Sequence, residues 1–160
     1  MPKPRWLDER ESRMWRAYNQ MRRELNSALE RQLTRDAGLS GADYELLVVL
    51  SEAPGDQLRA RELREMVGWD RSRLAHQIRR MEQRGLVTRD ECPDDARGTV
   101  IHLTTEGRRA IESAAPAHME AVRRHFVGLL TAEEIATLTS IADRVLTHLG
   151  DDQATENAAH

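Results

Sequence analysis

Lysine is almost missing from this chain. Lys3 stands alone, and every other of the 24 basic residues is arginine. Positive charge is therefore presented as a planar guanidinium fork, which grips phosphate two-pronged where an ammonium acts as a point charge. Cysteine is reduced to Cys92. No disulfide can close within one chain, and a reducing, cytoplasmic setting is the expectation. No apolar run approaches about 18 residues, which excludes a membrane-spanning helix. The polar opening MPKPRWLDERESR has no signal-peptide core. Also missing are a glycine-rich phosphate loop, a nucleophile motif and a convincing carboxylate pair, so neither an enzyme nor a cofactor is expected. Six histidines (His76, His102, His118, His125, His148 and His160) contain no i,i+4 pair, and Cys92 is remote from most of them in sequence. No metal site is expected.

What is present points to helices. Aromatic residues make up only 4% of the 160 residues, 32% are charged, and Leu, Ala, Arg and Glu dominate. The length suits one domain. Net charge is −3, which argues against a nucleic-acid partner until its distribution is considered. Between Arg59 and Arg89 lie nine arginines against Glu62, Glu65, Asp70 and Glu82, a basic stretch on an acidic body.

Periodicity and capping residues divide the chain. Residues 8–35 read as one long helix, with Met14, Tyr18, Met21, Leu25 and Ala28 in a heptad-like stripe and Gly38 as its stop. Ser40 caps a second helix, ended by Pro54-Gly55. A third, about 60–67, is followed by Gly68-Trp69, and Asp70 caps a fourth running to about Arg84. Two helices joined by a short glycine-containing turn form a helix-turn-helix. LVTRDE (86–91) and TVIHL (99–103) read as an antiparallel hairpin around a Pro/Gly-containing tip. Thr104 or Thr105 starts a fifth helix with Ile111, Ala115, Met119, Val122, Phe126 and Leu129 as its stripe; Pro116 should kink or break it. Thr131, with Glu134 completing a capping box, starts a sixth carrying Ile135, Leu138, Ala142, Val145 and Leu149. Residues 151–160 read as a disordered tail. The end helices carry stripes that a core of about 60 residues cannot cover, so a two-fold homodimer is expected.

The fourth helix carries the clearest chemistry. Leu74, Ile78 and Met81 make its apolar line. Arg73, Gln77, Arg80 and Arg84 lie about 100° round, and Ser72, His76, Arg79 and Gln83 about 100° further. That surface contains no carboxylate, and Arg, Gln, Ser and His are side chains that read base edges in the major groove. Ser72, Arg73, His76 and Gln77 are the candidates for bases. Arg71, Arg80 and Arg84 are the candidates for phosphates, with Arg59 and Arg61 from the preceding helix. In the hairpin tip, Arg97 can enter a minor groove, where negative potential attracts arginine. Asp95 can hold its guanidinium.

These residues carry a resemblance. Asp95-x-Arg97, then Ile101-x-Leu103-Thr104-x-x-Gly107, preceded by MEQRGLVTRD and DRSRLAHQIRR, is similar to the MarR family of bacterial winged helix-turn-helix transcriptional regulators. The similarity covers about residues 10–149. It implies a mainly α fold with a small β-hairpin wing, residues 40–104 forming the DNA-binding lobe. It also implies that helices 8–36 and 105–149 interleave in a homodimer, giving a single domain over residues 1–150. The implied partner is a pseudo-palindromic duplex, with the helix around Ser72 to Arg80 in the major groove and Arg97 in the minor groove. Many such proteins repress transcription and release DNA on binding a small aromatic or anionic ligand between the dimer helices and the DNA-binding lobe. Two departures stand out: Ala96 occupies a place where many relatives carry a second basic residue, and Arg59 stands where a Ser or Thr cap is usual.

Weaker signals leave alternatives open. Trp15, Arg16 and Tyr18 on the first helix could hold an aromatic carboxylate, or simply pack at an interface. Cys92, at the end of a wing strand, would suit a redox-responsive regulator or be inert. A winged-helix protein-interaction module without DNA is a third class, opposed by the acid-free helix surface.

Overall fold

The computed structural model describes residues 4–91 and 98–158. Cys92, Asp95, Ala96 and Arg97 lie outside them. The described chain is mostly helical with one small sheet. In order it forms α1 (Glu9–Ala37), α2 (Gly41–Glu52), β1 (Gln57–Arg59), α3 (Ala60–Val67), α4 (Arg71–Gln83), β2 (Val87–Glu91), β3 (Thr99–Leu103), α5 (Thr105–His125) and α6 (Ala132–Ala158).

Local chemistry sets most of these boundaries. The Ser40 hydroxyl accepts from the Asp43 N–H at 3.0 Å, and the Asp43 carboxylate accepts from the Ser40 N–H at 2.9 Å. This reciprocal box satisfies two donors that a helix start leaves orphaned. Thr131 and Glu134 repeat it at α6, at 3.1 and 2.8 Å. Gly38 ends α1 in the left-handed region at φ 64°, where a side chain would be strained. At α3, Arg59 supplies no hydroxyl cap; instead the Glu62 carboxylate reaches back to the Arg59 N–H at 3.1 Å, so the helix starts at Ala60 without one.

By contact density the chain divides into two compact units, residues 1–121 and 122–160. In the first unit, the antiparallel sheet has the order β1-β3-β2, with Leu58 and Arg89 both opposite Ile101 and Val87 opposite Leu103. The third strand, β1, is absent from the sequence pattern, which shows only the hairpin. One face of the sheet closes a core of Leu46, Leu47, Leu50, Leu63, Leu74, Ile78, Met81, Val87, Ile101 and Ile111. Gly107 allows α5 to lie against the loop after α4: a β-carbon there would collide with the Leu86 carbonyl oxygen and the Leu103 side chain. Thr104 completes the joint, accepting from the Gly107 N–H at 2.9 Å and donating to the Gly85 carbonyl at 2.6 Å.

Three expectations change. Pro116 does not break α5; it is exposed, so the carbonyl it frees one turn earlier can meet water. The buried line of α5 is Gly107, Ile111, Ala114, His118 and Ala121, rotated from the sequence stripe, in which Met119 proves to be exposed. In the second unit, α6 continues through Ala158, past Gly150 and beyond the expected end at 149. Its apolar residues Ile135, Leu138, Ile141, Val145, Leu146 and Leu149 are 39–66% exposed in the single chain.

Candidate nucleic-acid interface

The turn between α3 and α4 aims one helix outward. Gly68 ends α3 in the left-handed conformation at φ 68°. Trp69 then drops into the core, and the Asp70 carboxylate accepts from the Arg73 N–H at 2.8 Å to start α4. With Leu74, Ile78 and Met81 buried, Arg71, Ser72, Arg73, His76, Arg79 and Arg80 are all exposed. No carboxylate interrupts them. The Arg73 guanidinium lies over the Trp69 ring, 4.0 Å from its centroid, which holds its stem in place by cation–π attraction.

Two of the expected DNA-contacting residues are placed otherwise. Gln77 is only 8% exposed, and its Nε2 donates to the Asp43 Oδ1 at 2.7 Å. In this structure it sits next to Ile78 on the side of α4 that meets α2, away from the outward surface. Arg84 donates from Nη1 to the Asp43 Oδ2 at 2.6 Å and from Nη2 to the Gly38 carbonyl at 2.8 Å. Its guanidinium is held at the α1–α2 corner by these two bonds, with the side chain 43% exposed. Asp43 itself is 2% exposed, so one buried carboxylate joins the start of α2 to the middle of α4, through Gln77, and to its C-terminal end, through Arg84. Its partners are 34 and 41 residues away, which helical spacing does not reveal. The Asp95–Arg97 pair falls outside the described residues.

A second feature lies on the α1–α2–α5 side of the same unit. A cavity of about 350 Å³ is lined by Asn26, Leu29, Glu30, Leu33, Tyr44, Glu45, Arg73 and His118 among others. His118 is 8% exposed and packs against Tyr44, ring centroids 4.3 Å apart. The Gln32 amide donates to Asp36 at 3.0 Å, which turns its oxygen to His118 Nδ1 at 2.9 Å, so Nδ1 carries the proton. Burial pushes the His118 pKa down and the Tyr44 and Glu45 pKa values up; Arg73 opposes the Glu45 shift. Arg73 thus belongs both to this cavity and to the outward face of α4. Trp15, Arg16 and Tyr18 do not line it. They are exposed, with Trp15 and Tyr18 stacked at 5.7 Å, and Tyr18 precedes Asn26 by about 12 Å of helix. His118 escaped the sequence reading because a polar residue in an apolar stripe carries no mark of burial. Among the described residues no group of three His, Cys, Asp or Glu could hold a metal, and no helix is long and apolar enough to cross a membrane.

Comparison with known proteins matches residues 37–98 to the model of the MarR family. The transcriptional regulator HosA of Escherichia coli O111:H- is 30% identical over 119 residues, 74% of this chain and 86% of that one. Among solved structures, AbsC, a MarR family transcriptional regulator from Streptomyces coelicolor, is 39% identical with a TM-score of 0.87, covering 92% of this chain and 99% of its own. Sco3205, a MarR family regulator from the same organism solved in complex with DNA, is 41% identical with a TM-score of 0.87, over 91% of this chain and 92% of its own.

Proposed function

The chain belongs to the MarR family of transcriptional regulators, and on that premise we propose that it binds a pseudo-palindromic duplex as a homodimer and represses transcription from it. The observation that carries the reading is the outward surface of α4: Arg71, Ser72, Arg73, His76, Arg79 and Arg80, exposed together without a carboxylate. A helix of this width enters a B-DNA major groove. Ser72, Arg73 and His76, near its N-terminal end, take the base edges. Arg71 and Arg80 take phosphates. Arg97, with Asp95 to orient it, takes the minor groove. The DNA-bound relative supports this assignment by likeness.

Dimerisation is supported by two unpartnered apolar faces. Met14, Trp15, Tyr18 and Met21 of α1 are 42–59% exposed, as are most of the α6 apolar residues, and surfaces of that kind need a partner. A second copy related by a two-fold axis would cover both and set two α4 helices one helical turn apart. Trp15 and Tyr18 fit this role better than ligand binding. Effector release is the regulatory part of the proposal. A small ligand in the Tyr44–His118 cavity would meet Arg73 and alter DNA affinity only by preferring one of two states.

Single substitutions separate the roles. His76→Ala should change the preferred base at one position, at a cost of roughly 1–3 kcal/mol there. Arg80→Ala should weaken binding to all sequences alike. If binding profiles over a duplex library show the same base preferences for His76→Ala and Ser72→Ala as for the unaltered protein, α4 does not read the operator.

A further inference from the structure

A second arginine cluster stands beside α4 and is not part of its outward surface. A cleft of about 410 Å³ opens between α3, the start of α4 and the sheet. Arg61 and Arg64 of α3, Arg71 of α4 and Arg89 of β2 line it, together with Leu74 and Ile78. Among the described lining residues there is no carboxylate. Glu65 pairs with Arg61 at 3.1 Å. Among the described residues, Arg64, Arg71 and Arg89 have no carboxylate partner.

Why the four converge is a matter of backbone geometry. Arg61 and Arg64 are three apart and share one side of α3. Arg89 stands opposite Ile101 across the β2–β3 ladder, so it leaves the sheet on the face that covers the core, toward α4 and not toward solvent on the far side. Arg71 is the first residue of α4. Four like charges gathered from three elements over an apolar floor repel one another; Glu65 offsets Arg61, and among the described residues no carboxylate pairs with the other three. An anion would neutralise them. Phosphate suits it best, because its oxygens accept the two parallel N–H donors of a guanidinium.

We propose that the α3–α4–β2 cleft is a phosphate-binding site, with Arg64 and Arg89 as its two otherwise unassigned ligands. Its continuity with α4 through Arg71 names the phosphate: a backbone phosphate of the duplex, just outside the groove that α4 enters. That source rests on the DNA-binding reading above; the anion site itself does not. The site supplies sequence-independent affinity and anchors the register in which Ser72 and His76 meet bases.

The test is a salt titration of duplex binding by fluorescence anisotropy, using a mixed-sequence duplex so that base reading does not enter. Arg64→Ala and Arg89→Ala should each weaken binding roughly 10-fold at about 0.1 M salt. Each should make the log–log salt slope shallower by about one. The Lys variants should restore the slope but not all of the affinity, since the charge returns without the fork. Thermal melts check that both variants are folded, as expected for polar side chains at a cleft mouth. A second arm titrates inorganic pyrophosphate into the DNA-free protein by calorimetry. Binding that is lost in the Arg64→Ala, Arg89→Ala double variant while the duplex slope stays unchanged keeps the phosphate site and assigns it to a free phosphoryl compound. Duplex affinity, salt slope and pyrophosphate binding all unchanged in the double variant would overturn the proposal. An unaltered protein that binds no duplex would instead defeat the DNA reading, leaving the pyrophosphate arm to decide the cleft.

Discussion

Removing the Asp43 carboxylate should loosen α4 more than any exposed substitution on it. In Asp43→Ala three donors lose their acceptor: the Gln77 amide, the Ser40 N–H and one Arg84 nitrogen. Gln77 is buried, so its orphaned amide costs about 1–3 kcal/mol. The lost half of the α2 capping box adds about 1 kcal/mol. The Arg84 side chain is 43% exposed and keeps its bond to the Gly38 carbonyl, so its share is small. The total is about 2–4 kcal/mol, which for a chain of this size lowers the melting temperature by roughly 5–15 °C. Asp43→Asn should do less harm. Its amide can turn nitrogen toward Gln77, whose own amide then flips to accept, leaving the Asn oxygen for Ser40 and Arg84. Differential scanning fluorimetry ranks the three proteins. Gln77→Ala added to Asp43→Ala should cost much less than Gln77→Ala alone, because the contact is already gone. If Asp43→Ala melts within a degree or two of the unaltered protein, or the two substitutions add fully, Asp43 does not hold α4 in place.

Two further predictions concern packing and pH. Gly107→Ala drives a β-carbon into the Leu86 carbonyl and should cost about 1–3 kcal/mol, whereas Gly150→Ala, in open space on α6, should be neutral or stabilising; a Gly107→Ala protein that melts as high as its parent contradicts the close approach. His118 has a folded pKa below its unfolded value near 6.5, so below that pH the unfolded chain binds the extra proton and stability falls as pH falls, by at most about 1.4 kcal/mol per pH unit. Glu45, raised by burial, acts with the opposite sign closer to pH 4.5, so urea melts between about pH 5.5 and 7.5 isolate the histidine. His118→Gln should flatten that dependence, and an unchanged slope would show that His118 titrates normally in the folded state.

Local signals account for what could be read before the structure. Ser40, Asp70, Thr131 with Glu134, Gly38 and Gly68 mark helix ends through interactions that span at most a few residues, and each marks one here. The acid-free surface of α4 follows from 3.6-residue periodicity alone. Tertiary pairing accounts for the rest. Gln77 is polar and lies at the edge of the apolar stripe, and only Asp43, on another helix, makes it a buried residue. β1 is three residues long after a Pro-Gly turn, and its partner β3 lies some 40 residues away in the chain. Arg64 and Arg89 read as scattered surface charges until α3 and the sheet are brought to α4. His118 replaces an apolar residue in the buried line of α5, which shifts the apparent stripe toward Met119.

If two copies of the α4 surface read one duplex together, the bound DNA must carry their two-fold symmetry. Selection of bound duplexes from a random-sequence pool tests it most directly. The expected result is enrichment of a two-fold symmetric consensus whose half-site centres lie about 10 bp apart, bound by two chains. No enriched sequence, or a single half-site held by one chain, would contradict it.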